Sequence, residues 1–357
     1  MRILITHERY PPDFGGGGEY VVRHTAEALV RRGHDVQVLT TGDPAMREHR
    51  GVRTQRLPVG RARFNLQLAP IMRAARQADI VHTFNYHACL PSLLAGRLVG
   101  KPVVCGILAL FGETWHAMRG AVAGRAYRAW ERFIVTRRFD RSLFLSPPSM
   151  RIGIDLGAPA GRCMVLAPGI DRGPLLAPDR RDPVVLFAGR MDVRKGFHHF
   201  LAVARALPDI PFAAVGWADD VPALRRAAPP NVAIHESTGT TLYYEYLARA
   251  AVLLFPSHAE TYGVVIAEAM ASGAAVVASI DTIDFAGQRV APGDEAAMAG
   301  AVRALWDDRP ACDAAGAENM RRAARLSWEA HADSLEAIYA DVLAGRPAAD
   351  HLTAAVR

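Results

Sequence analysis

Lysine is almost absent from this chain of 357 residues. Only Lys101 and Lys195 occur among its 42 basic side chains, so the formal net charge of +6 resides almost entirely on arginine. This usage is typical of a GC-rich bacterial genome. The charge therefore gives no separate indication of nucleic-acid binding, and we predict no nucleic-acid partner.

Long apolar runs are missing as well. Runs such as 184–188 and 274–278 are far shorter than the ~20 apolar residues that a membrane-spanning helix needs. The chain enters a strand-like stretch, RILIT, at once, without the charged and apolar segments of a secretory signal. We therefore expect a soluble, cytoplasmic protein.

Cysteine is limited to four residues: Cys89, Cys105, Cys163 and Cys312. They lie far apart, form no C-x-x-C motif and have no neighbouring histidine at metal-ligand spacing. These absences predict a reducing compartment and no zinc site. We expect the four side chains to be core residues.

The sequence does contain a regular alternation of β-rich runs and helical patterns. The β-rich runs are 2–6, 35–40, 78–84 and 102–108, then 183–190, 212–216, 231–235 and 251–257. A proline-containing polar segment at 165–182 separates the two series. Such alternation is typical of parallel βαβ units, so we predict an α/β fold with two doubly wound Rossmann-like domains. Ligands bind beyond the carboxyl ends of such strands, which predicts a ligand in a cleft that the two domains face across.

Two glutamates, Glu260 and Glu268, are separated by seven residues in the stretch SHAETYGVVIAEAMASG. The stretch follows a predicted strand, Gly263 permits a tight turn, and 264–272 has the pattern of a short helix. The unpaired N–H groups of a first helical turn suit an anion, and carboxylates accept hydrogen bonds from vicinal hydroxyls. The pattern therefore indicates a site for a ligand that carries both sugars and negative charge.

Two cations flank the same predicted sheet edge. Arg190 ends a predicted strand and Lys195 opens the next helix, within FAGRMDVRKG. Together, a forked guanidinium and a point ammonium would clamp a diphosphate. Each side chain alone is more typical of an exposed surface cation, but the scarcity of lysine favours a specific role for Lys195.

Four motifs carry a resemblance to a known family: PPDFGGGGEYV, VLAPGID, FAGRMDVRKG and HAETYGVVIAEAMASG. They occur in the order and at the spacing of the family 4 glycosyltransferases, which the chain resembles over nearly its whole length. The resemblance implies the GT-B fold and retaining sugar transfer. It implies an acceptor-side domain at 1–170, a donor-side domain at 171–325, and a helix within 326–357 that crosses back to the first domain.

The resemblance also implies a role for each candidate residue. Glu260 matches the glutamate that holds the donor sugar's hydroxyls, and Glu268 matches the one on the nucleotide ribose. Arg190 and Lys195 match the pair that stabilises the leaving diphosphate. Two backbone segments match those around the donor sugar and phosphates: Tyr262, Gly263 and Val264, and Gly16, Gly17 and Gly18 of the glycine-rich loop.

The implied reaction moves a sugar from a nucleoside-diphosphate sugar to an acceptor hydroxyl or similar nucleophile, in specialised-metabolite or surface-glycan biosynthesis. The sequence contains no D-x-D motif, so we predict no metal and no other cofactor. The arginine-rich segment 118–141, interleaved with aromatic residues, is either a solvated helix face or a peripheral contact with the inner membrane face.

Two departures from the family pattern keep other functions open. The segment 280–294 lacks the usual Gly-Gly and Pro-Glu, and Leu108 and Ala109 occupy the place of a common family histidine. That histidine commonly bonds the donor's C6 hydroxyl, so Leu108 predicts a donor that does not depend on this hydroxyl, unless His116 or His87 reaches the same spot. The alternatives are a non-catalytic sugar-nucleotide-binding GT-B subunit, and a GT-B epimerase or phosphorylase. A nicotinamide dehydrogenase is disfavoured because GGGGEY does not fit G-x-G-x-x-G.

Overall fold

The computed structural model describes residues 1–13, 16–171, 182–237 and 240–347. The chain divides into two compact units. One contains Met1–Gly169 and the C-terminal segment from Trp328, and the other is Ile170–Ser327. The sequence prediction placed the corresponding boundaries at 170/171 and 325/326.

The first unit is built on an eight-stranded sheet that is parallel except for one short edge pair. Its strands are β1 (Arg2–Thr6), β2 (Asp35–Thr41), β3 (Glu48–His49), β4 (Val52–Leu57), β5 (Ile80–Phe84), β6 (Val103–Ile107), β7 (Arg141–Phe144) and β8 (Cys163–Val165). Its helices are α1 (Gly17–Arg31), α2 (Leu68–Gln77), α3 (Cys89–Val99), α4 (Thr114–Val135) and α5 (Pro147–Asp155). The spatial order β3-β4-β2-β1-β5-β6-β7-β8 places β1 between β2 and β5. Every residue of β6 is buried, which explains its continuous apolar sequence.

The second unit is built on a six-stranded parallel sheet. Its strands are β9 (Val184–Arg190), β10 (Phe212–Trp217), β11 (Val232–Glu236), β12 (Ala250–Phe255), β13 (Ala275–Ala278) and β14 (Gly287–Arg289). Its helices are α6 (Phe197–Ala206), α7 (Val221–Ala227), α8 (Thr240–Arg249), α9 (Val264–Ala271), α10 (Glu295–Asp307) and α11 (Arg309–Ala323). The core contains an aromatic group formed by Phe187, Phe197, Phe200 and Phe212.

The strand order β11-β10-β9-β12-β13-β14 creates a switch point in this second sheet. The chain moves from β9 outward to β10 and β11, then returns to the other side of β9 as β12. The crossovers on the two sides of this point leave in opposite directions, which opens a crevice at the carboxyl ends of β9 and β12. Arg190 is the last residue of β9, and Ser257 lies two residues beyond β12.

The last described helix, α12 (Trp328–Leu343), belongs to the first unit. Its buried face carries Tyr339, whose hydroxyl lies 2.6 Å from Nδ1 of His82 on β5. His331 lies 3.1 Å from the hydroxyl of Thr25 on α1. Ion pairs of Arg31 with Glu329 and of Arg32 with Asp333 and Glu336 also join the end of α1 to α12, around an apolar contact with the sheet.

The predicted alternation of strands and helices is confirmed, with some strands missed. The predicted β-rich runs correspond to β1, β2, β5, β6 and β9–β12. The strand β4 was missed because its sequence, VRTQRL, alternates buried and more exposed positions instead of forming an apolar run. Of the four cysteines, Cys163 is half-buried and the other three are buried as expected.

Candidate active site

Two loops meet at the crevice beyond β9 and β12. The β9–α6 loop (191–196) and the β12–α9 loop (256–263) are joined where the His258 amide donates to the Arg194 carbonyl at 2.9 Å. Gly196 has φ of +68°, and a Cβ there would lie 2.0 Å from the Pro256 carbonyl oxygen. Only glycine can occupy position 196 at this distance from the Pro256 carbonyl, and Gly196 therefore allows the two loops to pack closely.

Glu260 receives three hydrogen bonds on one carboxylate oxygen, Oε1. Lys195 Nζ donates at 2.5 Å, Arg194 Nη1 at 3.2 Å and the Ser257 hydroxyl at 2.9 Å. Burial alone raises the pKa of Glu260, but the charges of Lys195 and Arg194 and the hydrogen bonds outweigh it. The pKa therefore lies below its ordinary value.

The second carboxylate oxygen of Glu260, Oε2, accepts no hydrogen bond from any residue that the structure describes. An ionised carboxylate offers acceptor sites on both oxygens. The arrangement is thus an anion held in place from one side, with an acceptor left for a ligand hydroxyl.

Glu268 lies one turn into α9 and has a different environment. Its side chain is buried, and its Oε2 accepts a hydrogen bond from the Tyr243 hydroxyl at 2.5 Å. Burial raises the pKa of Glu268 to about 7, although the Tyr243 hydrogen bond opposes the shift, and the charge of Asp171 adds to it. Near neutral pH both the protonated and the ionised form of this carboxyl are therefore populated.

The turn between the two glutamates presents backbone groups at the start of α9. Gly263, with φ of +92°, precedes the helix and makes no side-chain cap. The first N–H groups of a helix have no partner within it, so those of Val264 and its successor are oriented for an external acceptor. The Tyr262 carbonyl accepts a 2.5 Å hydrogen bond from Thr282. The segment 280–294, which departs from the family pattern, thus supports this turn.

Arg190 is held by a separate set of contacts. Its guanidinium lies 4.3 Å from the ring centroid of Trp217, 3.3 Å from Asp192 and 3.4 Å from Asp219. Asp192 also accepts the backbone N–H of Lys195 at 2.8 Å. Asp192 therefore contacts the Arg190 side chain and the Lys195 backbone, whereas the Lys195 ammonium group is bonded to Glu260.

The predicted glycine residues lie in the first unit, at the start of α1. The Gly16 amide donates to Glu19 Oε2 at 2.8 Å, which caps the helix. A Cβ on Gly18 would lie 3.4 Å from Leu108 Cδ1, and Gly17 has open space around it. Leu108, which stands where the family commonly has a histidine, thus lies against the glycine stretch. Gly15, the first glycine of GGGGEY, is outside the described residues.

Leu108 is fixed by its backbone. Its N–H donates to Asn85 Oδ1 at 2.9 Å, and the Asn85 side chain donates back to the Ala109 carbonyl at 2.6 Å. The Leu108 side chain is buried. The apolar group at this position is therefore part of an ordered turn after β6.

Several residues in these contacts were not predicted from the sequence, among them Arg194, Ser257, Asp192 and Tyr243. Arg194 adjoins Lys195 in the FAGRMDVRKG motif, and Ser257 lies three residues before Glu260, so local spacing was an available signal for both. Tyr243 comes from α8, and no local pattern links it to Glu268.

Comparison with known proteins identifies the family to which the chain belongs. Residues 16–169 match the profile of a glycosyl transferase 4-like domain, and residues 182–308 match that of the glycosyl transferases group 1. The GDP-mannose-dependent alpha-mannosyltransferase of Mycolicibacterium smegmatis is 31% identical over 312 residues, which cover 78% of this chain and 79% of that protein.

Solved structures share the whole fold. Sucrose-phosphate synthase from Thermosynechococcus elongatus has a TM-score of 0.82 at 21% identity, covering 96% of this chain and 99% of that chain. HepE from Anabaena, in complex with UDP-glucose, has a TM-score of 0.77 at 16% identity, covering 96% and 100%. The two parallel α/β units and these matches define a glycosyltransferase with the GT-B fold. The chain belongs to family 4 of these enzymes.

Proposed function

We propose that this glycosyltransferase moves a sugar from a nucleoside-diphosphate sugar to an acceptor hydroxyl or similar nucleophile, with retention of configuration. The observation that carries the proposal is the Glu260 carboxylate, ionised by Lys195 and Arg194 and open at Oε2. The names of two similar proteins support the donor class, since one depends on GDP-mannose and another is solved with UDP-glucose.

In this proposal Glu260 accepts hydrogen bonds from the donor sugar's hydroxyls through Oε2. Lys195 and Arg190 stabilise the charge that develops on the departing diphosphate. Interactions of this kind act mainly in the transition state, where one preorganised group typically contributes ~10²–10³ in rate. Asp192 supports this arrangement through its ion pair with Arg190 and its hydrogen bond from the backbone N–H of Lys195, while Glu260 holds the Lys195 ammonium group.

The nucleotide is held by backbone and by the second glutamate. Glu268 binds the ribose hydroxyls, and the N–H groups around Tyr262, Gly263 and Val264 face the donor sugar. Gly16, Gly17 and Gly18 supply backbone near the phosphates. At Gly17 the space around the Cα supports such an approach.

We propose that sugar transfer needs no metal. The sequence lacks D-x-D, and cationic side chains serve the diphosphate instead. Activity is expected to persist in a strong chelator, without any requirement for Mg²⁺. Loss of turnover that Mg²⁺ restores would contradict this part of the proposal.

The primary test is a panel of sugar nucleotides with different bases and sugars. Turnover is followed as release of the free nucleoside diphosphate, and the anomeric configuration of the product is read by NMR. A retained configuration supports the proposal, and an inverted product contradicts the mechanism. Donor binding without any turnover across acceptors would favour a non-catalytic binding subunit.

We also propose that helix α4 contacts an anionic membrane surface, from which the acceptor would be taken. Val122, Trp130 and Phe133 are exposed there, at 83%, 37% and 44%, and the two rings stack at 5.7 Å. Exposed arginines, including Arg125 and Arg132, surround them, a combination that suits an interfacial helix. No helix within the described residues is long and apolar enough to span a bilayer.

Co-sedimentation with vesicles tests this contact. Binding to vesicles that contain anionic lipid is expected, with a clear decrease for a Trp130→Ala, Phe133→Ala variant. Equal binding of the variant and the unaltered protein, or no binding at low salt, would contradict the proposed contact.

A further inference from the structure

Three histidines converge beside the β12–α9 loop, although the sequence analysis predicted no metal site. His198 and His199 lie in the first turn of α6, and His258 lies in the loop after β12. One nitrogen from each ring lies within 4.8 Å of the others. The ring centroids of His199 and His258 are 5.1 Å apart, and those of His198 and His258 are 5.8 Å apart.

His199 has the hydrogen bonding of a metal ligand. Its Nδ1 lies 2.8 Å from Oε1 of Glu295, the first residue of α10. An ionised carboxylate only accepts, so Nδ1 carries a hydrogen here, and in the neutral imidazole that a metal ligand requires the lone pair is then on Nε2. Nε2 is buried and has no hydrogen-bond partner among the described residues. A buried polar atom without a partner is uncommon and needs an explanation.

The chemistry of the cluster favours a first-row transition metal. Imidazole nitrogen suits Zn²⁺, Ni²⁺ and Cu²⁺ better than Mg²⁺ or Ca²⁺. Zinc binds histidine nitrogen at about 2.0–2.1 Å, which places tetrahedral ligand atoms roughly 3.3 Å apart. The nitrogens lie within 4.8 Å of one another, so reaching that spacing needs ring rotations, for which the exposed His198 has the freedom.

We propose that His198, His199 and His258 bind one Zn²⁺-class ion, with Glu295 orienting His199 and a water in the fourth position. A carboxylate behind a ligating histidine fixes its tautomer and typically contributes 10–100-fold in metal affinity. The ion is separate from the transfer chemistry. It would join the start of α6 to the loop that carries Glu260.

A metal ion bound to His258 would also restrict the motion of the loop that carries Glu260. His258 lies two residues before Glu260, and its amide is bonded to Arg194, which itself donates to Glu260. An occupied metal site would therefore restrain the segment 257–262. That consequence is a matter of loop dynamics, and it can be measured whether or not the proposed sugar transfer is correct.

The test is a zinc titration of the full chain, stripped of metal, by calorimetry. Co²⁺ serves as a second probe because its visible absorption reports tetrahedral nitrogen ligands. One ion per chain is expected, with affinity lowered at least about 100-fold in His199→Gln and in His258→Gln. Glu295→Gln keeps all three ligands and is expected to lower affinity about 10–100-fold. His235→Gln is the matched control, because His235 lies in the same unit and bonds Tyr246 instead.

Amide hydrogen exchange supplies an independent reading of the same site. Zn²⁺ is expected to slow exchange in 257–262 of the unaltered protein and of His235→Gln, but not in His258→Gln. Thermal unfolding without metal checks that each variant is folded. The proposal is overturned if zinc binds the unaltered protein and folded His199→Gln and His258→Gln with equal affinity, or if the unaltered protein binds no ion.

Discussion

Glu260 and Glu268 are two largely buried carboxylates on adjoining elements, with opposite electrostatics. The Glu260 side chain is 12% exposed and Glu268 as a whole residue is 6% exposed, so burial alone would raise the pKa of both. Glu260 faces Lys195 and Arg194, and its pKa falls, whereas Glu268 faces a neutral tyrosine hydroxyl, and its pKa rises to about 7. The difference shows that nearby cations, and not depth, decide which carboxylate keeps its charge.

The comparison suggests different roles for the two glutamates. A carboxylate that stays ionised suits a constant role beside a reacting sugar, where its charge and geometry must be fixed. A carboxyl that titrates near neutral pH can change state when a ligand supplies hydroxyl donors. Substitutions that alter first the surroundings of Glu260 and then those of Glu268 test this difference.

The largest effect is expected from Lys195→Ala. This change removes the short hydrogen bond to Glu260 Oε1 and one cation from the proposed diphosphate site. Both kcat and kcat/KM are expected to fall by ~10²–10³, because the interaction strengthens in the transition state. Steady-state kinetics with a matched donor checks this, and an effect on KM alone would contradict the role. Lys101→Ala, the only other lysine, is the control.

Glu260→Gln keeps the shape of the side chain but removes its charge. Lys195 and Arg194 then lose their counter-ion, and the sugar hydroxyls lose an ionised acceptor. Turnover is expected to fall by about 10²-fold, while affinity for the free nucleoside diphosphate stays nearly unchanged. Calorimetry with the product nucleotide measures that affinity, with exposed Glu245→Gln as control. A large loss of product affinity would place Glu260 on the nucleotide instead.

The positions of Glu260 and Glu268 could be predicted from the sequence, but the difference between their pKa values could not. Local spacing placed Glu260 beyond a strand and Glu268 in the next helix, and both placements are confirmed. Their pKa values depend on Arg194, from another loop, and on Tyr243, from α8. Such contacts are set by how loops meet in three dimensions, which periodicity does not encode.

The same limit applies to the rest of the site. Trp217 and Asp219 reach Arg190 because β10 pairs with β9 in parallel register. His258 joins two adjacent histidines only through the packing of its loop on α6. The roles of these residues toward a donor stay predictions, but their juxtaposition follows from strand order and loop closure, not from any motif.

Glu268→Gln is expected to have a smaller, pH-dependent effect. The ribose hydroxyls donate best to an ionised carboxylate, so nucleotide affinity of the unaltered protein should rise as pH increases toward about 7. The glutamine variant should bind about 10–100-fold more weakly at pH 8 and lack this dependence. Phosphate also titrates, near pH 6, but equally in both proteins, so the difference between them isolates Glu268. Parallel pH profiles would contradict the ribose role.

The pH dependence of stability without ligand is a second test of the raised pKa of Glu268. Its pKa is about 7 in the folded protein and 4.5 as the reference for the unfolded chain. The folded state therefore binds more protons between these values, and the free energy of unfolding should fall as pH rises from about 4.5 to 7. Glu268→Gln should flatten that part of the profile, as measured by denaturant unfolding. A profile unchanged by the substitution would show that burial does not raise this pKa.

The smallest effect concerns Leu108, which lies against Gly18 in the first unit and offers a donor sugar no hydrogen bond. A buried apolar group accepts a methyl or an absent substituent at C6 without leaving a polar atom unpaired, whereas a C6 hydroxyl there would lose its partner. We predict that kcat/KM for a 6-deoxy donor equals or exceeds that for its 6-hydroxy counterpart. Leu108→His should shift the ratio toward the 6-hydroxy sugar by about 1 kcal/mol, or roughly fivefold. Ala109→Ser, a polar change at the adjoining residue, serves as the control. A strong preference of the unaltered protein for the 6-hydroxy donor would show that another group, such as His116 or His87, supplies the missing bond.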